Sequence, residues 1–504
     1  MKRSTTRSLS RVGMMALAVG GAASAAPNTD PYVYDPAFNS GVVIEDRFAA
    51  TSTDNRQIAQ KLVVLPNSDV IVAGLVPAAF QANQSSGYNL GLVRYGQDGS
   101  RVPWGGPTPT YSYYFDHYLD YPNGNTAAYR AISGIIYADD HVYVLVDYAY
   151  SATDYDVYIV AFDVDGAWVG TTAAFSTSLM EHGAGLVASP GSLIAVATYQ
   201  DGTGRGIVTL KRFARDPAGS LTVDTTFGHV NNGAIDHAMP NDRCDAPPCS
   251  VHARALTALR TDTTAPTLYI VGDAPNAGSD WNPFVMAVDG AAGDLSTSFG
   301  GGTGIYVQYG DISGSSKLDS GRAIAASTSG GEASDIIYLA AEYAQQCGEV
   351  TAITKLRASV ALPGGPYTLP DYAWGAGGTA LFGGDNSLVC GAGTHVTVPN
   401  AMVLSGSRLA IVGQDDIIGT ITPLRGPMLA MVRVSDGALI EFHDYLALRG
   451  DGSVWGKSSL DDVVAAAGNR FTAAGTIDDA QSAGGQLFGT ARFASDRIFA
   501  GDFE

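Results

Sequence analysis

Residues 294–311, DLSTSFGGGTGIYVQYGD, run through a turn, one aromatic side chain, a glycine-rich corner and an alternating strand. The same order recurs at 224–237, DTTFGHVNNGAIDH, and at 35–48, DPAFNSGVVIEDRF. In all three, Asp is followed by Phe three to five residues on, then by Gly within three residues, then by a strand. Self-similarity of this length sets the architecture before the chemistry of any single residue is considered.

Outward from this unit, three further strands can be read in each repeat. A first strand rich in small residues is expected at 58–66, 130–138, 183–189, 254–260, 322–328, 400–404 and 462–467. A second, β-branched run ends at Gly74, Val146, Thr198, Gly272, Ala341, Gly413 and Gly475. A third follows, as in LGLVRYGQDG and VYIVAFDVDG, with Asp-Gly marking a turn. Alternation with period two is the mark of strands that turn one face to a neighbour. An aromatic comes next in six of the seven units, at Trp104, Trp168, Phe227, Phe299, Trp374 and Phe442. Counted from Phe38, these recur every 59 to 75 residues, longer than WD40 or kelch repeats.

The seventh unit lacks a fourth strand, whereas 35–48 is a fourth strand with no preceding three. Pairing the N-terminal strand onto the last sheet closes a ring and removes an exposed edge. The expected fold is therefore all-β, a seven-bladed β-propeller of four-stranded blades closed by the N-terminal strand, with an open solenoid as the alternative. The aromatics are expected to wedge between neighbouring blades. One domain at 35–496 is expected, preceded by a short segment at 26–34 and followed by a tail at 497–504.

The motifs DLSTSFGGGTG, DTTFG and DPAFNSG, with VIVAG and LVRYGQDG, resemble the delta-60 repeat family of secreted and surface bacterial proteins. The resemblance covers nearly the whole mature chain, although Trp replaces Phe at 104, 168 and 374. It implies a propeller-like array and carries over no catalytic residue.

Lys2, Arg3, Arg7 and Arg11, the apolar run 12–23 and the small-residue site Ala23-Ser24-Ala25 form a signal-peptide pattern over 1–25. No later run reaches the roughly 18 apolar residues of a membrane span, so a secreted or periplasmic product is expected. Formal net charge is −20, or −24 without the four basic leader residues, which disfavours nucleic acid as a partner. A monomer is expected. Four cysteines suit an oxidising compartment. Cys244 and Cys249, close together in RCDAPPCS, suggest a local bridge, leaving Cys347 to pair with Cys390. A zinc site of four thiolates lacks the paired short knuckles such sites use.

Connections after the second and fourth strands are the longer ones and share one face, where function on a rigid scaffold is expected. The candidate ligand-binding residues there are Asp147, Tyr148, Asp273, Trp281, Glu342, Tyr343, Asp415 and Asp478. A carboxylate ring of this kind suits Ca²⁺ or a cationic ligand, and the aromatics suit sugar rings. No Asp-x-Asp-x-Asp-Gly loop supports a dedicated calcium site, so no cofactor is assigned. His117, His237, His252, His395 and His443 lie near fourth strands or the connections after them, too far apart on an outer rim to share an ion. Gly-x-Ser-x-Gly and His-Glu-x-x-His are absent, and Asp451 breaks a phosphate-loop match at Gly456-Lys457-Ser458. The expected function is non-catalytic binding of a polymer, a glycan or a protein through the long-loop face. The alternative is a propeller enzyme, a hydrolase or lyase acting on a polysaccharide or lactone.

Overall fold

The computed structural model describes residues 34–494 except 48–55, 78–87, 105–112, 116–127, 152, 230–231, 241–248, 276–280, 309–318, 329–333, 346–347, 363–364, 384–393, 419–423, 444–457, 468–469 and 479–485. The signal sequence, the tail, Cys244, Cys347 and Cys390 lie outside these residues. No helix among the described residues is long and apolar enough to cross a membrane.

The N-terminal strand β1 (Ile44–Asp46) precedes a sheet of β2 (Ile58–Val64), β3 (Val70–Pro77), β4 (Tyr88–Tyr95), β5 (Arg101–Val102) and β6 (Tyr113–Phe115). A second sheet holds β7 (Ala128–Ala138), β8 (His141–Ala149), β9 (Tyr155–Asp163) and β10 (Trp168–Phe175). The third holds β11 (His182–Ser189), β12 (Ser192–Gln200), β13 (Gly206–Arg215), β14 (Leu221–Val223) and β15 (Ala234–Ala238). The fourth holds β16 (His252–Leu259), β17 (Thr267–Pro275), β18 (Trp281–Asp289) and β19 (Ile305–Val307). Next come β20 (Ser320–Ser327), β21 (Ile336–Gln345), β22 (Gly348–Leu362), β23 (Gly365–Pro370), β24 (Thr379–Phe382), β25 (Thr394–Ser405), β26 (Arg408–Ile418), β27 (Leu424–Arg433) and β28 (Leu439–His443), all in one nine-stranded sheet. The last sheet is β29 (Ser459–Ala466), β30 (Arg470–Asp478) and β31 (Gln486–Ala494), with β1 on its edge.

Antiparallel meanders set around one axis make this an all-β propeller. The innermost strands β2, β7, β11, β16, β20, β25 and β29 lie side by side in that order, and β29 touches β2 again. The expected count of seven blades is corrected. Five sheets of four or five strands stand apart, and the strands expected for units five and six share the nine-stranded sheet. They merge because β22 and β25 meet in a parallel bridge at Glu349↔Val396.

Strand β1 does run antiparallel to β31, with Ile44 opposite Thr490 and Asp46 opposite Phe488. It is nevertheless an outer edge strand, so the expectation that it closes the ring is also corrected. First and last sheets meet at their inner strands, where the Leu62 amide donates to Asp462 Oδ2 at 2.9 Å, and the Gln57 amide just before β2 donates to the Gln486 carbonyl at the start of β31 at 3.0 Å.

The repeated Asp-x-x-Phe-Gly unit breaks the outer strand in two. Both β14 and β15 pair with β13, and residues 224–233 loop out between them. The aromatic of that loop drops onto the next sheet. Phe38, Trp104, Phe227, Phe299 and Trp374 are buried in this way. Trp104 and Trp374 each donate Nε1–H to a carbonyl of the following unit, Val164 and Val434, both at 2.8 Å, which gives the Phe-to-Trp exchange a hydrogen bond. Phe38 and Phe227 lie instead under the guanidinium groups of Arg492 and Arg212, 4.3 and 4.9 Å from the ring centroids. Gly300 turns the corner at φ +60, and a Cβ there would come within 2.1 Å of the Ile305 carbonyl oxygen. Asn39 holds the equivalent corner at φ 46, a conformation asparagine tolerates better than most residues. Trp168 is a correction: it is 42% exposed and Phe442 only half-buried. Strand β10 runs unbroken from Trp168, so no loop is available to tuck that ring inward.

Candidate functional site

Each innermost strand carries a β-bulge at the same height. Pairing steps from Ala59↔Gly74 to Lys61↔Ala73 in the first unit, leaving Gln60 unpaired. The corresponding extra residues are Ser133, Ala184, Arg254, Arg322, Asn400 and Asp461. The bulge also explains the small residue that ends each second strand. A Cβ on Gly74, Gly272, Gly413 or Gly475 would sit 1.9 to 2.1 Å from a carbonyl oxygen of the bulged strand. Bulges re-aim side chains and gather next to functional sites.

In four units the bulge residue is hydrogen-bonded to the residue just past the small position. Ser133 Oγ donates to Asp147 Oδ1 at 3.4 Å, Arg254 Nε to Asp273 Oδ2 at 2.8 Å, Arg322 Nε and Nη2 to Glu342 Oε2 at 2.9 and 2.6 Å, and Thr476 Oγ1 to Asp461 Oδ2 at 3.3 Å. The same groups staple neighbouring units. The Gly183 amide donates to Asp147 Oδ1 at 2.9 Å, Ser320 Oγ to Asp273 Oδ2 at 2.8 Å and the Ile132 amide to Gln60 Oε1 at 2.8 Å.

Gln60, Arg254, Asn400 and Asp461 line one cavity of about 520 Å³, together with Lys61 and Arg425. Residues from units one, four, six and seven can share a cavity only on the axis. It opens on the long-loop face, because the bulges lie where first strands begin and second strands end. Beside it, His252 stacks on Trp281, with ring centroids 5.0 Å apart and planes 17° from parallel. His252 Nδ1 lies 3.0 Å from Asp273 Oδ1, so one buried carboxylate orients both an imidazole and a guanidinium.

Three such pairs have a common form, with the guanidinium outside and the carboxylate underneath. Side-chain exposure is 40% for Arg254 against 3% for Asp273, 31% for Arg322 against 10% for Glu342, and 45% for Arg425 against 23% for Asp416. Burial pushes the Asp273 carboxyl up, but His252, Arg254 and Ser320 outweigh it and hold it below the usual carboxylate range. Asp147 goes the other way, since burial there outweighs His182 and the Gly183 amide. Glu349 is pushed up to about 8, first by its hydrogen bond with Glu342 and then by burial. Burial also pushes Asp461 up to about 6, against hydrogen bonds from Ser459 and Thr476.

The raised Asp461 value means the folded protein binds more protons than the unfolded chain between pH about 4 and 6. Stability attributable to this group therefore falls as pH rises through that window. Asp461→Asn is expected to melt at a higher temperature than wild type at pH 7 and at nearly the same temperature at pH 4. Thermal unfolding followed by circular dichroism at both pH values checks this.

Of the residues expected to bind ligand, the structure brings Asp273 and Trp281 together through His252. It does not present Asp147, Glu342 or Asp415 to solvent, since all three are buried. Tyr148 packs edge-on against Tyr129, Tyr150 and Tyr158. Tyr343 packs with Ala341, Val350 and Ala352, and burial raises its hydroxyl well above the ordinary value. Asp478 ends β30 at the face, where its amide donates to Ser458 Oγ at 3.2 Å. No three His, Cys, Asp or Glu among the described residues are grouped to hold a metal ion. Cys249 is buried and is not a free thiol. His252 opens an inner strand, not an outer one, while His237 Nε2 lies 2.7 Å from the Gly293 carbonyl and His443 pairs with Glu441. His117 and the side chain of His395 are outside the described residues.

Sequence reasoning missed Gln60, Arg254, Arg322, Asn400, Asp461, Lys61 and Arg425. A signal existed: AQKL, ISGI, GAGL, ARAL, GRAI, NAM and LDDV vary at the bulge residue, in surroundings that are small or aliphatic in all but the first and last, where Lys61 and Asp462 follow it.

No protein-family model matches the chain, and no curated protein matches it. Among solved structures the chain is similar to BamB from Moraxella catarrhalis, at 11% identity over 89% of this chain and 100% of that one, with a TM-score of 0.33. It is also similar to an ulvan lyase of polysaccharide lyase family 25, at 10% identity over 76% and 77% with a TM-score of 0.39. A third is an α-L-arabinofuranosidase from Fusarium graminearum, at 8% identity over 91% and 99% with a TM-score of 0.37. Similarity this weak transfers neither substrates nor residue roles.

Proposed function

We propose that the protein is a secreted, delta-60-repeat-like propeller that binds a glycan at the axial mouth of its long-loop face without turning it over. The observation that supports this most is the arrangement of guanidinium groups over carboxylates less exposed than themselves. Asp147, Asp273 and Glu342, the acids a catalyst would draw on, are buried and engaged in hydrogen bonds between strands and units. The groups facing the cavity are mostly hydrogen-bond donors and amides, with the Asp461 carboxyl among them and the His252–Trp281 stack beside them as an apolar platform. The protein acts as a monomer, with Cys249 bridged to Cys244.

A glycan array probed with the mature protein tests this. Retention with no released product supports binding, and no retention on any glycan rejects it. Asp461 supports the second reading, an enzyme of the hydrolase or lyase class. Its carboxyl, pushed up to about 6 on the cavity wall beside Ser459 and Thr476, is suited to exchange protons near neutral pH. Were products released, Asp461→Asn is expected to lower the rate at least about 100-fold.

A further inference from the structure

We infer that the axial mouth selects acidic glycans, holding the carboxylate of a uronate residue through Arg254 and Arg425, which line the axial cavity, with Arg322 of the intervening unit supporting them. This rests on the reading that the mouth binds a glycan, and adds which chemical class it takes.

The three guanidinium groups come from consecutive units and are linked in series. Arg254 is held by Asp273, which also accepts from Ser320 Oγ, two residues before Arg322. Arg322 is held by Glu342, which is hydrogen-bonded to Glu349. Glu349 feels the field of Asp416, and Asp416 holds Arg425 through Nε at 2.8 Å and Nη2 at 3.0 Å. The arc therefore runs Arg254, Arg322, Arg425 around one side of the axis. Each guanidinium keeps N–H groups that these bonds leave unused: both Nη of Arg254, and Nη1 of Arg322 and Arg425.

The carboxylates, buried at Asp273 and Glu342 and half-buried at Asp416, fix each fork in place and neutralise its charge from behind. The exposed side offers oriented donors, the geometry that suits a planar carboxylate. Lys61, half-buried and lining the same cavity, makes no close ion pair or hydrogen bond among the described residues; its charge acts on Asp461 and Asp462. Glu349, pushed up to about 8, is largely protonated at neutral pH and does not cancel the arc. In a chain of net charge −20, the cavity gathers Lys61, Arg254 and Arg425, with Asp461 as the one lining carboxyl among the described residues and Asp273 and Asp416 offsetting the two arginines from behind.

The test is affinity electrophoresis of the mature protein in gels containing polygalacturonate, fully methyl-esterified polygalacturonate, alginate, dextran sulfate or dextran. Wild type is expected to be retarded by polygalacturonate or alginate, with the methyl ester at least tenfold weaker and retardation reduced by added salt. Arg254→Gln and Arg425→Gln are each expected to weaken retardation at least fivefold. Melting curves establish that each variant is folded, and either one alone suffices if the other is not. Retardation by the ester or dextran equal to that by the acids overturns acid recognition while leaving glycan binding in place. Retardation by dextran sulfate alone reassigns the site to sulfate esters and overturns the carboxylate assignment. No retardation by any polymer overturns both readings. Depolymerisation of an acidic polymer overturns the non-catalytic reading and supports acid recognition.

Discussion

Gly272→Ala is expected to destabilise the protein by at least about 3 kcal/mol, the upper range for overpacking, because the new methyl group meets backbone and not a flexible side chain. The added Cβ would lie 1.9 Å from the His252 carbonyl oxygen and 2.9 Å from the Phe284 ring. Relieving that contact means undoing the bulge at Arg254, and with it the Arg254–Asp273 pair and the staple from Ser320. Gly202→Ala is the matched control, since nothing lies within 4 Å of its added Cβ. It is expected to change stability by no more than about 0.5 kcal/mol. Denaturant unfolding of both variants checks the contrast. Equal stabilities would mean that the β16–β17 pair lacks the bulge.

The second large effect is at Phe299. The ring is 2% exposed and packs with Tyr269, Val271, Ile324 and Leu339, so it joins the fourth sheet to the strands of the next unit. Removing it opens a cavity between rigid sheets that cannot collapse far, and Phe299→Ala is expected to cost about 3 to 5 kcal/mol. Trp168→Ala is expected to cost well under about 1 kcal/mol, because that ring lies on the surface. Were the Trp168 variant the weaker of the two, the assignment of Phe299 as an inter-sheet wedge would fail.

These two sites show what could be read in advance. Strand order, the turn before each aromatic and the place of residues 44–46 beside β31 follow from alternation and from turn residues, both local signals. Phe299 and Trp168 occupy the same place in the repeat, yet only one is buried. What separates them is whether the outer strand breaks, which depends on the run Gly300–Gly302 directly after Phe299, where Trp168 is followed only by Gly170. The merging of units five and six could not be read either. It rests on one bridge, Glu349↔Val396, between segments 47 residues apart, and nothing local to either residue encodes the approach.

The site was partly legible for a similar reason. Asp273 and Trp281 were identified by position on the long-loop face, and they do belong to one cluster. Asp147, Glu342 and Asp415 were assigned outward because acidic residues favour solvent, but burial is tolerated where hydrogen bonds or ion pairs satisfy the charge. The arginines escaped notice because a bulge shifts the in-out alternation by one residue. Arg254 and Arg322 then read as exceptions in small-residue strands and not as members of a ring.

The central claim is that bulges deliver recognition groups, Gln60, Arg254 and Asn400 among them, to the axial mouth. Calorimetric titration of the glycan most strongly retained by the mature protein, into wild type, Asn400→Ala and Ser298→Ala, tests it most directly. Asn400 is a bulge residue lining the axial cavity, whereas Ser298 lines a cavity of about 460 Å³ between the fourth and fifth units at the short-turn end. Affinity at least tenfold weaker for Asn400→Ala, with Ser298→Ala unchanged, is the predicted result. Loss of affinity in Ser298→Ala with Asn400→Ala unaffected would contradict it.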